Sequence, residues 1–125
     1  MQNDVHFILY KDKKILFTDY TNADLIKLVS VMDEAKKIIR IQPEGSVLLF
    51  SNVTNVQLNL KILDPIREYI SGNKPYVKRS AMFGLSQSAA NILSSIVKLT
   101  KRDNINFFNV QESAFEWLIG GIGGK

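Results

Sequence analysis

The run Val47-Leu48-Leu49-Phe50 constrains this chain most. It is uninterrupted by any polar residue and stops abruptly at Ser51-Asn52-Val53-Thr54-Asn55. A strand with one wet face alternates apolar and polar residues, so a run without alternation predicts a strand buried on both faces. Such strands belong to parallel sheets covered by helices. In open α/β sheets, the loop just past the C-terminal end of such a strand is the usual place for function. The loop residues here are Ser, Asn, Thr and Gln, with no carboxylate, Cys or His.

The flanking patterns supply the rest of the sheet. Val5 to Tyr10 and Lys14 to Asp19 read as two strands around the turn Lys11-Asp12-Lys13, which favours a hairpin. Thr21-Asn22-Ala23-Asp24 has capping-box spacing. Leu25, Leu28, Val29, Met32, Ala35 and Ile39 then recur at helical spacing, and the helix should stop near Ile41, before Gln42-Pro43-Glu44-Gly45. After the buried strand, Leu60, Ile62, Leu63, Ile66, Tyr69 and Ile70 predict a second helix. Pro65 falls inside it, so it is either one kinked helix, the reading favoured here, or a shorter one capped by Asp64. Ser80 to Gly84 reads as a third buried strand. Ser86 can cap a helix whose inner face is Ala89, Ile92, Leu93, Ile96 and Val97. Ile105 to Phe108 is a short strand, and Glu112 to Ile119 a last helix.

The order β-β-α-β-α-β-α-β-α predicts an α/β fold: a mixed, mostly parallel sheet of about five strands, with an N-terminal β-hairpin and about four helices. Residues 1–119 form a single domain, and 120–125 a frayed Gly-rich tail. At 125 residues the chain is long enough to bury a core without staples. It has no Cys, which removes disulfides and thiolate chemistry and fits a cytoplasmic protein. The polar N-terminus is not a signal peptide, and no apolar run approaches a membrane span. The net charge of +4 raises nucleic-acid binding. However, the basic residues cluster at helix ends and turns, where they complement helix dipoles, and no aromatic sheet face accompanies them. The expectation is no nucleic-acid partner.

Candidate chemistry is sparse. For His6, the one histidine, the sequence by itself identifies no orienting residue or co-ligands, so neither base catalysis nor a metal centre is expected. Asp19 ends the second strand and shares an edge with Ser51 and Thr54, the only constellation on which a reaction can be drawn. Gly84-Leu85-Ser86 lies between a buried strand and a helix N-terminus, where amides can meet an anion, or simply form a turn and an N-cap. The glycines at 120–124 follow a helix instead of opening one, unlike a phosphate cradle. No cofactor is expected.

Taken together, Val47 to Thr54 with its following helix resembles STAS domains, the fold of anti-sigma-factor antagonists. The hairpin Val5 to Asp19, the segment Glu34-Ala35-Lys36-Lys37-Ile38-Ile39, Val53-Thr54-Asn55, Asn73 to Lys78 and Ala114-Phe115-Glu116-Trp117-Leu118 are similar to small STAS-like proteins grouped with a lipid-binding fold. The resemblance covers the chain to about Ile119. It implies a non-enzymatic regulatory or protein-interaction module with a protein partner. Antagonists of this kind are switched by phosphorylation within an Asp-Ser-Ser-Gly pattern, which here falls on Gln57-Leu58-Asn59-Leu60 and offers no hydroxyl.

The contact surface expected from these readings comprises Asp19, Ser51, Thr54, Asn55, Gln57, Gly84 and Ser86. The alternative is binding of a lipid or other small apolar ligand, suggested by the lipid-binding likeness and by Leu99, which falls off the inner helical stripe. Either function is compatible with a homodimer through a sheet edge or an apolar helix face. An enzyme is not expected.

Overall fold

The computed structural model describes residues 4–120, so the expected tail lies, apart from Gly120, outside the described residues. The strands are β1 (Val5–Tyr10), β2 (Lys13–Asp19), β3 (Val47–Asn52), β4 (Val77–Phe83) and β5 (Ile105–Phe108). The helices are α1 (Leu25–Ile39), α2 (Leu60–Gly72), α3 (Gln87–Leu99) and α4 (Gln111–Leu118). The strands lie side by side in chain order in one sheet. Only β1 runs antiparallel, and the α/β class with its opening hairpin is as the sequence predicts.

Successive parallel strands added in one direction, each through a right-handed crossover, put their helices on the same face. Accordingly α1, α2 and α3 share one core with Leu16, Leu49 and Val77. Only α4 covers the other face, packing Ala114, Phe115 and Leu118 on Ile15, Phe50 and Ala81. Phe50 is fully buried there, its ring 4.7 Å from Phe115 and 5.0 Å from Phe17. Tyr10 donates its hydroxyl to Glu116 at 2.6 Å, and Lys11 pairs with the same carboxylate, so the hairpin holds the outer side of α4. The doubly buried run at 47–50 thus has a physical cause: Val47 and Leu49 face the three helices, while Leu48 and Phe50 face α4.

Several local readings are corrected. The N-cap of α1 is Asp24, whose carboxylate accepts the Lys27 N–H, and not Thr21. A turn closed by Ala23 N–H to the Tyr20 carbonyl, with Asn22 at φ +60°, delays the helix start. Val31 joins the buried stripe of α1, whereas Leu25, in the first turn, stays exposed. α2 runs through Pro65 as one helix, the favoured of the two readings, and its cap is Asn59. β3 extends to Asn52 and β4 begins at Val77, outside the expected bounds. Leu99 is 69% exposed, off the buried stripe of α3 as its spacing predicts.

Candidate functional site

The C-terminal ends of β2, β3 and β4 lie together at one edge of the sheet. Asp19 and Asn52 are ladder partners there, and the chain does the same thing after each. Asp19 Oδ1 accepts the backbone N–H (3.0 Å) and the hydroxyl (2.6 Å) of Thr21. Asn52 Oδ1 likewise accepts the N–H (3.2 Å) and the hydroxyl (2.7 Å) of Thr54. These are side-chain turns in which Asp or Asn replaces a backbone acceptor two residues on. Each is followed by an Asn in the left-handed region, Asn22 at φ +60° and Asn55 at φ +59°. The two turns are joined directly. Asn55 Nδ2 donates to Asn22 Oδ1 at 3.0 Å, and Asn22 N–H to the Thr54 carbonyl at 2.9 Å.

The loop after β4 is locked onto the same platform. Gly84 adopts φ +96°, and a Cβ there would run into Thr54, meeting its Oγ1 and lying 3.1 Å from its Cα. Val53 N–H donates to the Phe83 carbonyl at 2.8 Å. Ser86 then caps α3 by accepting the Ala89 N–H. Between the loops lies an open groove of about 470 Å³. Asn55, Gln57, Ser86 and Ser88 supply its polar walls, and Val53, Val56, Leu58, Leu85 and Ile92 its apolar part. No Asp, Glu, Lys, Arg or His lines it.

Adjoining the groove is a second, smaller pocket of about 50 Å³ lined by apolar atoms. Val53, Val56, Leu58 and Leu85 line both spaces, which meet along these side chains. Tyr20, Tyr69, Leu28, Met32 and Ser51 form part of its inner wall. The Tyr20 and Tyr69 hydroxyls influence each other electrostatically, yet neither makes a hydrogen bond of good geometry. Burial pushes the Tyr69 phenol up to about 12 and the Tyr20 phenol well above its ordinary range, with Tyr69 adding to the latter shift. Arg102, buried behind them, is lowered to about 10 by desolvation, against an opposing pull from Tyr69 and Asp103.

Of the seven surface residues expected from sequence, Asn55, Gln57, Gly84 and Ser86 meet at the groove. Thr54 supports it from beneath Gly84. Asp19 and Ser51 do not join it. Strand alternation directs Asp19 toward the α4 face and Ser51 toward the cavity on the other face, where it is buried 2.9 Å from the Thr18 hydroxyl. Asp19, Ser51 and Thr54 each have separate partners, so they form no common reaction centre. Asn22, Ser88 and the apolar residues of the groove were not singled out from sequence, and Ile92, expected on the inner face of its helix, is instead 42% exposed at the groove. For Asn22 a signal existed, since Asp19-Tyr20-Thr21-Asn22 and Asn52-Val53-Thr54-Asn55 repeat one pattern. Among the described residues no cluster of three or more His, Asp or Glu is placed to hold a metal, and no helix is long and apolar enough to cross a membrane. Comparison with protein-family models, curated proteins and solved structures finds no match.

Proposed function

We propose that this protein is a non-enzymatic, STAS-like interaction module that receives an extended, uncharged segment of a protein partner in the groove between the β3–α2 and β4–α3 loops. The observation that carries this is the make-up of the groove. Amides and hydroxyls wall an apolar strip, and no titratable side chain lines it. Neutral donors and acceptors recognise a peptide backbone and small polar side chains, while the apolar strip takes an occasional aliphatic residue. The platform is pre-ordered by the paired Asn52–Thr54 and Asp19–Thr21 turns, which lowers the entropic cost of binding.

The test is selection from a displayed random-peptide library on the wild-type protein and on the double variant Gln57→Arg, Ser88→Arg. Both positions are exposed, so the variant fills the groove without touching the core. Peptides enriched on the wild type should lose at least tenfold in affinity on the variant. Equal binding to both proteins, or no enrichment, contradicts the reading.

The cavity supports a second reading, binding of a small apolar ligand. Its volume is about 50 Å³, a third of the roughly 150 Å³ that accommodates benzene in an engineered protein cavity. A lipid chain would therefore fit only if the walls of this pocket moved apart. Retention of an apolar molecule in native mass spectrometry, at one molecule per chain, would favour this reading over the first.

A further inference from the structure

The core under α1, α2 and α3 holds a group of polar atoms that the chain itself does not satisfy. Among the described residues, Tyr20 Oη, Tyr69 Oη, Asn73 Nδ2 and Arg102 Nη2 are buried and make no hydrogen bond. None of the four residues is more than 7% exposed. Folded proteins rarely leave such atoms unpaired, because burial removes their hydration with nothing in exchange.

The four lie together. Tyr69 and Asn73 are one turn apart at the end of α2 and so share a face. Arg102 Nη1 donates to the Ile70 carbonyl at 3.2 Å, which sets the guanidinium against that same turn. The Tyr69 hydroxyl is close enough to Tyr20, Asn73 and Arg102 for each of them to shift its ionisation.

Their chemistry is one-sided. Asn73 Nδ2 and Arg102 Nη2 can only donate. The Asn73 carbonyl oxygen is already taken by Arg40 Nε at 3.1 Å, and Arg102 Nε by Asn104 Oδ1 at 3.0 Å. The charge is unmatched as well. Asp103, beside Arg102 in sequence, is exposed and makes no ion pair with it, and Glu68 pairs with Lys36 and Arg40 instead. Desolvation therefore dominates the ionisation of the guanidinium. A buried cation ordinarily has an opposite charge beside it.

We propose that these four groups bind one small monovalent anion of the halide class, which accepts from the Arg102 and Asn73 N–H groups and from the hydroxyls of Tyr20 and Tyr69. A water molecule accepts two such bonds and leaves the charge unmatched, whereas an anion accepts all four and matches it. The rings of Tyr20 and Tyr69 border the pocket of about 50 Å³, space into which they can give way for one ion. Lys74, whose Nζ donates to the Lys101 carbonyl at 3.4 Å, adds positive charge at the same corner. This proposal does not rest on the groove, which lies between the loops after β3 and β4.

Urea unfolding at fixed ionic strength tests it, with sodium chloride replacing sodium gluconate around the full-length protein. As chloride rises from about 1 to about 100 mM, the folding constant of the wild type should rise at least about threefold, since an ion that binds only the folded state stabilises it by mass action. Asn73→Asp sets a carboxylate where the amide stood, which takes the place of the ion beside Arg102, so its folding constant should not respond to chloride. Anomalous diffraction from crystals grown in bromide should place one bromide among the Tyr20, Tyr69, Asn73 and Arg102 atoms, a result that needs no variant to fold. A wild-type folding constant indifferent to chloride overturns the proposal, as does a response that persists in Asn73→Asp. So does an anomalous map with no peak at these atoms, the outcome expected if water alone binds them.

Discussion

Gly84→Ala is the substitution through which the structure makes its sharpest energetic claim. The residue sits at φ +96°, and an added Cβ meets Thr54, with Thr54 Cα and Cβ both 3.1 Å away. Holding Ala in that sparsely populated backbone region costs about 1–3 kcal/mol. The added methyl also displaces the Thr54 hydroxyl, which donates to Asn52 Oδ1 at 2.7 Å, a bond worth about 1 kcal/mol. The sum is roughly 3 kcal/mol of lost stability, read as a lower midpoint in urea unfolding followed by circular dichroism, with the slope unchanged. Repeating the substitution in a Thr54→Ala background separates the two causes. The hydroxyl is already gone there, so the cost of Gly84→Ala should fall by about 1 kcal/mol, and the backbone cost should remain. A total below about 1 kcal/mol, or identical costs in both backgrounds, would refute the claim that the two loops are locked by this contact.

Phe50→Ala should cost about 3–5 kcal/mol in the same assay, because Phe50 is fully buried between the Phe17 and Phe115 rings. Tyr69→Phe should change stability by less than about 1 kcal/mol at neutral pH in halide-free buffer, since its hydroxyl then has no well-formed hydrogen bond to lose. The two proteins should diverge in alkali. The Tyr69 phenol ionises near pH 10 when unfolded and near pH 12 when folded, so its contribution is intact below pH 10 and is lost as pH rises to 12. That loss amounts to about 2–3 kcal/mol. Arg102, lowered to about 10 in the fold, works in the opposite sense over that range, so the wild-type minus Tyr69→Phe difference in urea midpoints is the quantity to follow.

What sequence made legible was whatever depended on local pattern. The unbroken Val47–Phe50 run identified the doubly buried strand, because helices on one face and α4 on the other leave no wet side to encode. Ser86 was readable as a cap, since a hydroxyl ahead of an apolar helical stripe has few other uses. Thr21 misled for a physical reason: a cap accepts a helix N–H, but the Thr21 hydroxyl donates to the Asp19 carboxylate at 2.6 Å inside a separate turn, and Asp24 accepts the Lys27 N–H instead. Asn55, Gln57, Gly84 and Ser86 come together at the groove because loops after parallel strands converge. Asp19 and Ser51 share that edge but lie apart from the groove, as a shared edge says nothing about alternation between sheet faces. The groove's apolar part was hidden, because Val53, Leu85 and Ile92 come from separate segments and look like ordinary core residues in one dimension.

The most direct measurement is a ¹H–¹⁵N NMR titration of the wild-type protein with the best peptide from the library selection. The account predicts shift changes concentrated at the amides of Val53 to Leu58 and Gly84 to Ile92, the two segments that supply the groove's lining residues, with β1 unaffected. Shift changes centred on β1, on α4, or on residues around the cavity without the groove walls would contradict it.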